Sequence, residues 1–266
     1  MKLAVVPSGG PLGAEVMGLD LREPLSAEGV TRLRQALLEH QVLLFRDQHP
    51  SEEDQVRFTR YFGEPVPHVR EQPDRPIPEI FIISNVTENG MPIGALGNEE
   101  IAFHSDLSYL PIPGATSILY AIEVPPRGGE TMWANCYLAY DSLPPELRAR
   151  IEGLRAAHFH PRPQQNPPRP AVHAIVRTHP ETRRRSLYVN PHFTRYVEGL
   201  CGEESRALLD RLLAHVTSPR FVWTHHWRAG DLVMWDNRCT MHRRESFDNS
   251  QRRVMKRTQI LGDAPY

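Results

Sequence analysis

Residues 231–261 read DLVMWDNRCTMHRRESFDNSQRRVMKRTQIL. The run DLVMWD (231–236) is a short apolar segment of strand type, and Trp235-Asp236-Asn237-Arg238 marks its end and a tight turn. His242 follows four residues after Arg238, and Arg253 comes eleven residues later, opening a second strand-like run, RVMKRTQIL (253–261). Side chains alternate along a strand, so Arg253, Met255 and Arg257 share one face and Val254, Lys256 and Thr258 the other. One strand thus offers two guanidiniums to a common interior. A buried guanidinium needs an anion, and its planar fork suits carboxylate or sulfonate oxygens. A dicarboxylate cosubstrate whose far end meets Arg253 would supply one.

Upstream, AFHSDLSYL (102–110) reads as a strand, which puts His104 and Asp106 on one face. An imidazole beside a carboxylate, joined by a histidine from a distant strand, makes the facial triad of non-haem Fe(II) oxygenases, with three metal positions left open. Other strand-like runs are 41–46, 80–86, 116–124, 130–134, 172–179, 186–190 and 221–227. Helical patterns cover 26–40 with Ser26 as cap, 51–62 with Ser51 and Asp54 in capping positions and Gly63 as terminator, 144–157, and 203–216. Residues 87–99 and the proline-rich 158–170 read as loops and as candidate lids. Short strands with peripheral helices and no repeat predict one domain over 1–266, a closed or double-sheet β architecture.

Composition sets the outer bounds. The chain has 266 residues and a formal net charge of −1, which leaves no electrostatic case for nucleic acid or an anionic membrane. Its 25 prolines are about twice the usual share and imply many loops. Three cysteines without a C-x-x-C pair, no secretory leader pattern and no long apolar run predict a cytoplasmic protein.

HSD (104–106), GGETMW (128–133), WDNRCTMH (235–242) and RRVMKRTQILGD (252–263) together resemble the taurine/2,4-dichlorophenoxyacetate dioxygenase family of Fe(II)- and 2-oxoglutarate-dependent enzymes. The resemblance runs from about Gly13 to Pro265. It implies a double-stranded β-helix (jelly-roll) core, iron ligands His104, Asp106 and His242, and a 2-oxoglutarate carboxylate held by Arg253 and Thr131. It implies O2 as cosubstrate, succinate and CO2 as products, and a homodimer or homotetramer. Arg257 and His68 match substrate-contacting positions, and Phe193, with Tyr109 and His192, would add aromatic lining for a small anionic substrate: a sulfonate, alkyl sulfate or aryloxyalkanoate. Arg257 also reads as a structural ion pair, Thr131 as a strand former and His68 as a turn residue. A metal-dependent hydrolase or a non-catalytic small-anion binder on the same scaffold are the alternatives.

The chain also departs from the family pattern. The segment 158–170 is compressed, and Phe103 stands where a tryptophan is common. Glu99 and Glu100 place two acids before the motif, facing either the pocket or solvent. His158 and His160 read as surface or pocket-lining, and Cys239 as a packing residue. Trp235 and Asn237 are expected to shape the turn that aims His242.

Overall fold

The computed structural model describes residues 3–68, 72 and 75–266. The chain begins with β1 (Ala4–Pro7), β2 (Ala14–Met17), α1 (Ala27–His40), β3 (Val42–Phe45) and α2 (Glu52–Arg60). Next come β4 (Phe81–Ser84), β5 (Thr87–Glu88), β6 (Met91–Pro92), β7 (Ala95–Leu96) and β8 (Ile101–His104). The long β9 (Gly114–Glu123) and β10 (Thr131–Asn135) lead to α3 (Cys136–Asp141), α4 (Pro145–Ile151), β11 (Arg155–His158), β12 (Ala171–Ala174), β13 (Val176–Thr178), β14 (Arg185–Leu187) and β15 (Thr194–Val197). The remaining elements are α5 (Gly202–Val216), β16 (Val222–His225), β17 (Leu232–Asp236), β18 (Thr240–Arg244) and β19 (Val254–Leu261).

Two sheets carry the architecture. The major sheet has strand order β1-β2-β3-β17-β9-β19-β4-β7, and the minor sheet β16-β10-β18-β8. Parity sorts the side chains into layers. On β17, Val233 and Trp235 face the minor sheet and pack with Trp133, Leu119 and Met255. Leu232 and Met234 point the other way, onto Leu33 and Leu37 of α1 and Phe58 of α2. On β18, Met241 faces a third core with Leu208 and Leu212 of α5, while His242 faces inward. The order is therefore helix, sheet, sheet, helix. Because both faces of each sheet are covered, β17 reads as a continuous apolar run rather than an alternating one. Each fully buried Leu or Phe contributes about 1.5–3 kcal/mol to holding the layers together. The mainly β, jelly-roll expectation with peripheral helices is met.

Several local expectations change. The strand expected over 102–110 stops at His104, and residues 106–110 form turns with Leu107 at φ 58°. The helix expected over 144–157 ends at Ile151, and Gly153, at φ 74°, turns the chain into strand β11. Residues 87–99 contain the small β5–β6 hairpin and β7. Helix α2 ends at Arg60, two residues before the expected end at Phe62, although its Ser51/Asp54 capping box forms as expected. Gly63 is needed for another reason: a Cβ there would lie 2.7 Å from Ile260 Cγ2. β1, β2, β15, β18 and α3 carried no signal that the sequence reading used.

Gly128 makes the turn that delivers Thr131 to the interior. It sits at φ +75°, and a Cβ there would lie 2.7 Å from the Ser246 carbonyl oxygen. Gly128→Ala is expected to destabilise the protein by about 1–3 kcal/mol. The check is a lowered urea midpoint at unchanged m-value, and an unchanged midpoint would show that the turn relaxes freely.

Candidate metal centre

His104 closes β8, and β18 pairs beside it so that His104 and His242 are register partners. Their ring centroids are 4.2 Å apart. Asp106 arrives by the turn after β8 rather than by the strand alternation expected for H-x-D. Its oxygens lie 3.7 Å from His104 Nε2 and 4.0 Å from His242 Nε2. One donor atom from each of the three side chains lies within 4.8 Å of the other two, and all three residues are buried.

The surroundings tune each donor. His104 Nδ1 is 2.9 Å from the Ala102 carbonyl, a contact that makes Nδ1 a donor and turns Nε2 toward the cluster. Burial, then the neighbouring His104, hold the His242 imidazole well below its usual pKa, so it is neutral. For Asp106 burial opposes the charge, but Arg257 outweighs it and keeps the carboxyl well below its ordinary range. Two imidazoles and a carboxylate form a donor set suited to a divalent first-row metal. The residues present fit such an ion.

A polar network holds Asp106. Ser117 Oγ donates to Asp106 Oδ2 at 2.7 Å, and Arg257 Nη1 donates to Oδ1 at 3.3 Å. Asn237 Oδ1 accepts from the Asp106 backbone N–H at 3.1 Å and from Trp235 Nε1 at 3.0 Å. Asn237 Nδ2 and Gln259 Nε2 both donate to Ser117 Oγ. The turn expected to aim His242 thus also aims Asp106. A second cluster of possible ligands, His179, Asp236 and Cys239, is built differently. Asp236 is already held by Arg238 at 2.7 Å and by His179 at 3.0 Å, so the cluster fastens the 236–240 turn.

Two compartments meet at the three donors. One contains Thr131, Arg244, Arg253 and Leu119 together with His104, His242 and Arg257. Arg253 is 2% exposed, and among the described residues its guanidinium has no acidic partner. Burial, together with Arg244, pushes its pKa down to about 9. A buried cation in this state calls for an anionic ligand. Trp227 Nε1 donates to Thr131 Oγ1 at 2.9 Å, which leaves the threonine proton free to be donated elsewhere. The other compartment contains His68, Tyr109, His160, His192, Phe193 and Arg257. His68 stacks on Phe81 with centroids 4.0 Å apart, and Phe193 meets His104 edge-on at 5.7 Å. A groove of 470 Å³ between α1 and the C-terminal residues includes none of the three donors.

His160 lines the pocket as read, but His158 is fully buried with Nδ1 3.2 Å from Ser108 Oγ, neither surface nor lining. Glu99 and Glu100 are exposed, and Glu100 pairs with Arg243. Phe103 points away from the donors into the α5 core. Ser117, Gln259 and Arg244 were missed. Parity could have found them: Gln259 continues the Arg253-Met255-Arg257 face, Ser117 is a polar residue on the Leu119 face of β9, and Arg244 shares a face with His242 once β18 is recognised.

Asn237→Ala removes the acceptor that positions the Asp106 backbone. It is expected to weaken divalent-metal affinity by about 10–100-fold. Titration of the apoprotein with Mn(II) or Co(II) reads this directly, and an unchanged affinity would mean the turn holds without it.

Known proteins resemble this chain in sequence and in fold. The family model described as "Taurine catabolism dioxygenase TauD, TfdA family" matches residues 4–259. The alpha-ketoglutarate-dependent 2,4-dichlorophenoxyacetate dioxygenase of Cupriavidus pinatubonensis is 37% identical, over 94% of this chain and 95% of that protein. A taurine dioxygenase crystal structure from Burkholderia xenovorans superposes with a TM-score of 0.87 at 37% identity, covering 100% of this chain and 91% of the other. The structure of AAD-2 in complex with Mn(II) and N-oxalylglycine superposes with a TM-score of 0.84 at 35% identity, covering 100% and 99%. Among the described residues no helix is long and apolar enough to cross a membrane. The chain belongs to the taurine/2,4-dichlorophenoxyacetate dioxygenase (TauD/TfdA) family.

Proposed function

We propose that this protein is an Fe(II)- and 2-oxoglutarate-dependent dioxygenase that hydroxylates an aliphatic carbon of a small anionic organic molecule. The observation that carries the proposal is the meeting of His104, Asp106 and His242 beside the buried Arg253, which has no acidic partner among the described residues. A hydrolytic metal site has no use for that arginine, and a passive anion binder has no use for three converging donors.

His104, Asp106 and His242 would hold the iron on one face. Arg253 and the Thr131 hydroxyl would hold the distal carboxylate of 2-oxoglutarate. Bound iron, the oxo acid and O2 together supply the oxidising chemistry, with succinate and CO2 as products. On the opposite side Arg257 would meet the substrate anion, while His68, Tyr109 and Phe193 present rings around the carbon skeleton. A ring-lined pocket with one guanidinium favours an aryloxyalkanoate, with sulfonates and alkyl sulfates as the other anions it could accept. Hydroxylation next to the heteroatom would fragment such a molecule. The three free cysteines support a reducing, cytoplasmic setting. A single catalytic domain over 1–266 and a homodimer or homotetramer complete the proposal, the oligomer by analogy with the family.

The test is the weak visible absorption of an Fe(II)–2-oxoglutarate chelate formed anaerobically. Wild-type protein should give the band and His242→Ala should not; a protein that never gives it is not this enzyme. Succinate release over a panel of aryloxyalkanoates, sulfonates and alkyl sulfates then ranks substrates. Arg257→Gln should raise KM for the anionic substrate by about 10–100-fold and move KM for 2-oxoglutarate far less. Equal effects on both would remove Arg257 from the substrate role.

A further inference from the structure

We propose that Arg244 is a second guanidinium for the distal carboxylate of the oxo acid, acting beside Arg253 and Thr131. The inference rests on the 2-oxoglutarate reading above and extends it to a residue outside that ligand set. His242 and Arg244 are two apart on β18 and share its inner face, whereas Arg243 points outward to Glu100. Arg244 stands directly across from Thr131 on β10. It lines the same compartment as Thr131 and Arg253, and it is 5% exposed. The Phe247 ring lies under both guanidiniums, 5.5 Å from Arg244 and 5.9 Å from Arg253.

The two edges of the Arg244 fork are used unequally. Nη2 donates to the carbonyl oxygens of Leu96 and Glu99 and so ties down the segment at the mouth of the site. Nε and Nη1 are buried and have no acceptor among the described residues. Among the described residues no acidic side chain is in ion-pair contact with Arg244 or Arg253. Two like charges therefore face one cavity with spare donors on each. A carboxylate offers two oxygens with about four lone-pair sites, enough to receive Arg253, Thr131 and Arg244 together. Such a pair raises the premium on an oxo acid that carries a distal carboxylate.

The experiment measures binding, not turnover, with Mn(II) in place of Fe(II). Calorimetry compares 2-oxoglutarate with 2-oxobutyrate, which chelates through the same end but lacks the distal carboxylate. Arg244→Met is expected to weaken 2-oxoglutarate by about 10–100-fold and to leave 2-oxobutyrate essentially unchanged. Equal weakening of both acids, or of neither, would make Arg244 a loop tie only and overturn the proposal. Arg244→Lys keeps the charge and a donor for the Leu96 and Glu99 carbonyls but loses the fork. It should show a smaller loss confined to 2-oxoglutarate, and if the Met variant does not fold, absence of that selective loss overturns the proposal on its own. Wild-type protein that fails to bind 2-oxoglutarate at all would instead defeat the dioxygenase reading.

Discussion

An ionised carboxylate in a protein core costs several kcal/mol unless it is paired and hydrogen-bonded, and Asp106 lies in such a place. Its charge is matched by Arg257 on one side and by the Ser117 hydroxyl on another, with the two imidazoles in front. Much of the surrounding polar structure follows from this need. Ser117 is fixed by Asn237 and Gln259, Asn237 is fixed by the Trp235 indole, and the 236–240 turn that carries Asn237 is braced by the Asp236–Arg238–His179 cluster. The Arg257 guanidinium, proposed to meet the substrate anion, is thus also a counter-ion to a proposed metal ligand. A cation bound by Asp106 would take over part of that pairing and leave Arg257 freer to meet a second anion.

The layered architecture explains how such a site can be rigid. Every donor sits on, or directly beside, a strand whose outward side chains are embedded in a helix-backed core. Met241 and Phe103 anchor β18 and β8 to α5 from behind while His242 and His104 face forward. Trp133 and Trp235 fill the space between the sheets and pack against His242 from two directions. A ring held that way has few alternative rotamers, so the geometry is set before any ligand arrives.

Much of this was legible from residue pattern. Alternation along 253–261 correctly put Arg253, Met255 and Arg257 on one buried face, and the caps Ser26 and Ser51 formed as spacing predicted. The approach of Asp106 was not legible, because H-x-D on a strand and H-x-D across a strand end look alike in sequence. What separates them is a positive φ at Leu107 and a hydrogen bond from the Asp106 backbone to Asn237, 131 residues away. β18 escaped notice because TMHRR mixes charge with apolar residues, and only its two strand neighbours make it extended. Ser117 looked like an ordinary strand residue for the same reason: its partners are remote in sequence.

The two ends of the eight-stranded sheet are also informative. β1 has four residues and finishes at Pro7, which lacks a backbone donor, and β7 at the far end has only two residues. Neither margin presents a ladder long enough for another chain to extend. Strand addition, the usual route from an open β-sheet to fibrils, thus finds only short templates at the two ends of this sheet.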